Sequence, residues 1–206
     1  MQITVVFAHW HIGDGNYPPF GVGDEGRLSF ELSSRWVETV PEREPDGLRQ
    51  LRDAEYDIVG RVIRQYDADT DSGLTVIDAD GFRFYDAGGW TRDFPVGARI
   101  RLHGRLELDH FRWVENLDAY PDPPDLFYGV RVVRVREVQI PERFVHRSSK
   151  TLSHPSTLSP DDYTAADVRD VAAVSADDGP AFSLLDLELL APGDGLQRLT
   201  FLYADP

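Results

Sequence analysis

In the stretch GARIRLHGRLELD, Ile100, Leu102, Leu106 and Leu108 fall on one parity, while Arg99, Arg101, His103, Arg105 and Glu107 fall on the other. Successive side chains of an extended chain point to opposite faces, so this period of two specifies a strand with one face turned to a core. A helix would scatter the same residues around its circumference. Gly104 stands on the apolar parity, where a strand bends or another backbone comes close.

Strand signals recur along the chain. VIDADGFRFYD reads as a hairpin, because Asp80-Gly81 supplies the positive φ that a tight turn between two apolar runs requires. FSLLDLELLAPGDGLQRLTFLY repeats this logic around Asp194-Gly195, and a further turn, ADDGP, covers Asp177 to Pro180. The segment from about Val168 onward therefore reads as a β-meander. Met1 to Ala8 reads as a first strand. Two helical signals are expected: a turn or two over Leu48 to Ala54, and a helix capped at Ser159 with Pro160 in its first turn.

From Tyr56 to Ile140 the order is strand, two-stranded hairpin, an irregular stretch through Trp90, the Arg99 to Leu108 strand, a Pro- and Asp-rich loop and the strand FYGVRVVRVREVQI. That order resembles an OB-fold, a five-stranded Greek-key barrel. The fold class expected is mainly β: an OB-like small barrel with additional N-terminal strands and a C-terminal meander. The corresponding division is an N-terminal β unit over 1–54, the barrel over 55–147, and a linker with the meander over 148–206, which packs with the N-terminal unit. HRSSKTLSHPSTLSPDD supplies the linker.

An internal echo accompanies this pattern. FGVGDEGRLSFEL, Phe20 to Leu32, aligns without gaps with FPVGARIRLHGRL, Phe94 to Leu106, and RWVE follows in each case, at Arg35 to Glu38 and at Arg112 to Glu115. Duplicated barrel units would give this echo, and so would chance similarity of two amphipathic strands.

Composition bounds the chemistry. At 206 residues and 41% hydrophobic the chain buries a sizeable core. Its formal charge of -15 repels nucleic acid and anionic membrane surfaces at long range. With no cysteine, disulfides, thiolate metal sites and thiol nucleophiles are excluded. No apolar run approaches the ~20 residues of a membrane span, and the first apolar run lacks the basic leader of a secretory signal. A cytoplasmic location is expected.

Four features are candidates for chemistry. HWHIGDG places His9 and His11 on one side of an extended segment with Asp14 following, as in the first ligands of several metallohydrolases. DADTDSGLTVID sets Asp67, Asp69 and Asp71 at alternate positions with Asp78 twelfth, approximating a calcium loop with its glycine displaced to Gly73. GVGDEG matches the dinucleotide fingerprint in letters only, since a strand follows it and Asp24 and Glu25 oppose phosphate. Residues 97–147 hold nine arginines against eight acids, +1, whereas the remainder carries -16. Arg99, Arg101, His103, Arg105, Arg131, Arg134 and also Arg136 are expected on neighbouring strands, with Trp90, Phe111 and Trp113 as stacking surfaces for a ligand or anion. The same arginines would equally pair with carboxylates across strands.

No cofactor is expected beyond a divalent metal at the His or Asp groups, and no catalytic elbow or phosphate loop is present. The function expected is a non-catalytic binding module for a protein or small ligand, acting through a barrel face or the long loop Trp10 to Glu25. A metal-dependent hydrolase using His9 and His11, and single-stranded nucleic-acid binding through the arginine face, are the alternatives.

Overall fold

A computed structural model describes residues 1–15, 17–66, 73–86, 89–110, 112–139, 163–171 and 182–190. In chain order the elements are β1 (Gln2–Ala8), α1 (Trp10–Gly13), β2 (Glu25–Leu28), β3 (Phe30–Thr39), β4 (Gly47–Arg52), β5 (Glu55–Tyr66), β6 (Leu74–Ala79), β7 (Phe82–Asp86), β8 (Arg99–Leu108), α2 (Arg112–Glu115), β9 (Tyr128–Gln139), β10 (Thr164–Val168) and β11 (Phe182–Leu189). They divide into two compact units, Ser29–Phe127, and Met1–Leu28 with Tyr128–Pro206.

Ser29–Phe127 is built on a closed barrel. β5 pairs antiparallel with β6 and β8, β6 with β7, and β8 with β3. A short parallel pairing of β3 with β7, Glu31 to Tyr85 and Leu32 to Asp86, completes the circuit. The protein is thus mainly β, with an OB-like five-stranded barrel and additional strands. The aliphatic parity of β8 is fully buried together with Phe30, Leu32, Ile58, Val62, Ile77 and Phe84.

The closing strand is not the one read from the sequence. Tyr128–Gln139 of that segment forms β9 in the other unit, and β3, upstream of the other four barrel strands, takes the fifth place. Both segments alternate, and alternation fixes which face of a strand is buried without fixing its neighbour. A division at residue 54 would separate β3 and β4 from the strands they pair with.

Local chemistry explains the corners. A Cβ on Gly104 would lie 2.5 Å from the Ser33 carbonyl oxygen and 2.8 Å from Ser34 Cα, where β3 shifts register between Ser34 and Trp36. In the β6–β7 turn Asp80 and Gly81 both have positive φ, 56° and 85°, and Asp78 Oδ1 accepts the Gly81 N–H at 2.8 Å. Residues Leu48 to Arg52, expected to be helical, form β4. A lone helical turn is marginal in water, whereas the extended form gains a ladder with β5 through a turn at Asp53.

The β6–β7 surface on the outside of the barrel is covered by the chain itself. Trp113, Tyr120 and Leu126, carried by α2, a 3-10 turn at Leu117–Ala119 and the following loop, form one buried cluster with Tyr66, Leu74, Val76 and Tyr85. Tyr66 and Tyr120 stack at 4.3 Å and Trp113 and Tyr120 at 5.3 Å. Strands buried on both faces lose their alternation, which accounts for the run Leu74 to Ile77 at the start of β6, buried at every position. The echo holds only in its first half. Val22-Gly23 and Val96-Gly97 form matching turns, with glycine φ of 97° and 92°, but the segment after the first breaks at Ser29 into β2 and β3, while the second continues as β8. RWVE is strand in β3 and helix in α2.

The other unit is an antiparallel sheet in the order β10, β9, β11, β1. β2 pairs with β9 over Tyr128 to Arg131, on the edge that β10 takes over Val135 to Gln139. Thr164–Val168, inside the segment expected to continue a helix from Ser159, is a strand because its ladder with β9 supplies the backbone partners. Ser159 and Pro160, the linker at 148–162, and the turns at Asp177 to Pro180 and Asp194-Gly195 lie outside the described residues.

Candidate functional site

The polar parity of β8 is not an open basic face. Arg99 is buried and donates to the Glu42 and Glu44 carbonyl oxygens and to the Asp46 carboxylate. Arg101 pairs with Glu44, Glu38 and Asp57. Arg105, also buried, donates to Glu55 Oε1 from Nε at 3.2 Å and from Nη2 at 3.1 Å, and His103 Nε2 lies 3.9 Å from Glu55 Oε2. The β9 arginines sit in the other unit, where β9 pairs with β2, β10 and β11. There Arg131 pairs with Glu25 and Glu188, Arg134 with Asp167, and Arg136 with Asp186. Burial and cross-strand pairing neutralise the cationic surface that a count of charges suggests.

What does reach the outside on this face is specific. The register places Trp36, His103, Asp57 and Arg49 in one row across β3, β8, β5 and β4. Trp36 is 45% exposed. The side chains of Arg49 and Arg52 are 73% and 53% exposed, while those of Asp57 and Glu55 are 17% and 6% exposed. Arg49, Arg52 and the indole therefore stand outermost over Asp57 and Glu55, while the side chain of Glu38, two residues along β3 from Trp36, is itself 44% exposed. Among the described residues β4 pairs only with β5.

Of the expected stacking residues, Trp113 is fully buried in the cover and cannot receive a ligand. Trp90 is 59% exposed, on a loop held by Gln65 Nε2 to the Phe94 carbonyl at 2.8 Å and by Thr91 Oγ1 to Asp86 Oδ2 at 2.7 Å. Phe111 lies outside the described residues.

The His-x-His pair sits differently from its expected geometry. His9 precedes and His11 lies within the short helix α1, so alternate residues no longer point the same way. His11 is buried and stacks on Phe7 at 5.9 Å. His9 Nε2 is 2.8 Å from Ser183 Oγ, and burial holds its imidazole down at about 4, in the neutral form. Asp14 is exposed. The His9–Ser183 contact, which joins residues from opposite ends of the chain, has no signature in the sequence. Both groups are buried, and His9 Nδ1 has no partner among the described residues. Tyr17 and Phe20, from the loop expected to recognise a partner, pack on Phe7 at 5.9 and 5.1 Å and are core residues. Asp67, Asp69 and Asp71 lie outside the described residues, and Asp78 is bonded to Arg83 at 2.8 Å. Among the described residues no three His, Asp or Glu side chains converge as metal ligands.

A buried acidic cluster, unannounced by any motif, lies beside the cover. The Tyr85 hydroxyl is 2.8 Å from Glu31 Oε2 and 2.5 Å from Asp109 Oδ1. A phenol has one hydrogen to give, so one of the two carboxyls must carry a second proton and donate it back. Burial raises both Glu31 and Asp109 and lifts the Tyr85 phenol well above its ordinary range. His110 reaches Glu31 Oε2 through Nδ1 at 3.6 Å and Glu107 Oε2 through Nε2 at 3.4 Å. Glu107 Oε1 has no hydrogen-bond partner among the described residues, and burial, with Glu31 opposite, holds Glu107 at about 8.

Comparison with protein-family models, with curated proteins and with solved structures found no match. Among the described residues no helix is long and apolar enough to cross a membrane.

Proposed function

We propose that the protein is a cytoplasmic, non-catalytic binding module that takes an acidic, extended segment of a partner protein along β4 and across the row Trp36, His103, Asp57, Arg49. One observation carries this reading: along β4 the Arg49 and Arg52 heads are outermost, above the nearly buried carboxylates of Asp57 and Glu55, with the Trp36 indole exposed in the same row. Exposed tryptophan and arginine are the side chains that anchor interfaces most strongly. An edge strand offers backbone donors and acceptors to an added strand, so an extended partner suits it. The pairing of the β8 and β9 arginines with carboxylates removes the open basic face that nucleic acid would need, which favours a protein partner. The separate environments of His9 and His11 give no support to a hydrolase.

The test uses a short synthetic peptide of alternating glutamate and valine and its lysine-for-glutamate counterpart, each titrated into the full chain with fluorescence anisotropy as the readout. The acidic peptide is expected to bind, more weakly as salt rises, and to lose binding in Trp36→Ala and in the double variant Arg49→Glu, Arg52→Glu. Equal binding of the two peptides, or binding indifferent to those substitutions, contradicts the proposal.

A further inference from the structure

The covered β6–β7 surface and the buried acids meet at one residue. Asp109 accepts the backbone N–H groups of Trp113 at 3.3 Å and Val114 at 3.4 Å, and a hydrogen bond from Ser29 Oγ at 3.0 Å. The same carboxylate touches Tyr85 of β7, which touches Glu31 of β3. Asp109 thus joins the start of the cover to two barrel strands through an arrangement that needs one hydrogen more than the phenol supplies.

We propose that the proton shared among Glu31, Tyr85 and Asp109 is a latch that holds the segment Arg112–Phe127 on the barrel, and that its loss releases this segment and bares the apolar β6–β7 surface. With the proton present, each of the two short oxygen contacts has a hydrogen between its atoms. Without it, two carboxylates face one phenolic oxygen with a single hydrogen, so one short oxygen contact is left without a hydrogen and two negative charges lie side by side in the core. Release carries Trp113 and Tyr120 away from Leu74, Val76 and Tyr85 and lets water reach the acids.

The charged and titratable groups around this proton come from every packed element: Arg35 on β3, Glu55 on β5, Asp86 on β7, Arg105 and Glu107 on β8, His110 on the connection and Arg112 on α2. Arg35, Arg105 and Arg112 oppose proton uptake, and the carboxylates favour it. Burial outweighs the arginines, which places the change on the alkaline side of the ordinary carboxylate range.

Hydrogen exchange of the full chain, read by mass spectrometry at about pH 6 and about pH 8.5 with each rate divided by the intrinsic rate at that pH, tests the latch. Opening linked to one released proton should grow about tenfold per pH unit. Peptides covering Arg112–Phe127 are therefore expected to lose protection at the higher pH while β3, β5 and β8 keep theirs. Glu31→Gln places a permanent donor where the protonated carboxyl stands, and is expected to keep the cover protected at both pH values. Corrected protection of the cover that does not change with pH, loss shared equally with β8, or a Glu31→Gln chain that opens like the wild type overturns the proposal. Infrared spectroscopy of a Glu107→Gln chain near pH 6, where Glu107 would itself be protonated in the wild type, gives a second reading: a protonated-carboxyl band is expected, and its absence overturns the latch whatever the Glu31 variant does.

Discussion

Glu31 and Glu107 are direct partners across the β3–β8 ladder, and both are buried. Like charges in that position are destabilising, so the pair is tolerated through protonation and the nearby guanidinium groups of Arg105, Arg35 and Arg112. Glu107 sits at about 8, above its ordinary 4.5. A carboxyl raised on folding stabilises the native state fully below its unfolded value, and that stability is lost as pH rises through the folded value.

Chemical denaturation midpoints are therefore expected to fall between about pH 6.5, above which His9 no longer offsets the slope, and about pH 8, by at most about 1.4 kcal/mol per pH unit for each proton released. Glu107→Gln, neutral throughout, should flatten that slope. A wild-type stability that rises over the same interval contradicts the assignment.

The two RWVE copies make a second comparison. Trp113→Ala removes the centre of the cover and should cost about 3–5 kcal/mol. Trp36→Ala removes an exposed indole and should change stability by no more than about 0.5 kcal/mol. Denaturant titration of both variants separates them, and similar losses would mean that Trp36 is packed.

At Gly104 any side chain meets the Ser33 carbonyl. Gly104→Ala is expected to cost about 1–3 kcal/mol through forced backbone shifts, measurable by thermal or urea unfolding. An unchanged midpoint would mean that β3 does not approach β8 so closely.

In the other unit, Ser183→Ala leaves His9 Nε2 buried without its partner, an expected loss of about 1–3 kcal/mol. A thermal midpoint equal to that of the wild type would show that the contact is not formed.

The legible part of the fold was whatever depends on side-chain direction. β8, the Asp80-Gly81 hairpin, β1 and the crowding at Gly104 follow from alternation and backbone chemistry alone. What escaped depends on partners. Nothing local distinguishes β3 from β9 as the strand that closes the barrel, and the helical signals at Leu48 and Ser159 yield at β4 and β10 to ladders formed with distant strands. The candidate site shows the same division. The arginines of β8 and β9 were visible, but Glu38, Glu44, Asp46, Asp167 and Asp186, which neutralise them, come from other strands and loops. Glu107 occupies a polar position of an amphipathic strand, and nothing local marks it as a buried acid. Trp36 and Trp113 share one tetrapeptide, so no local rule could separate the exposed indole from the buried one.

Amide and indole resonances of the full chain, followed by NMR while the alternating glutamate–valine peptide is added, test the β4 surface most directly. Binding there predicts shifts confined to Leu48 to Arg52, the Trp36 indole and His103, with the Trp113 indole unmoved. Shifts centred on Leu74 to Tyr85, or none at a peptide concentration that saturates the anisotropy signal, would contradict it.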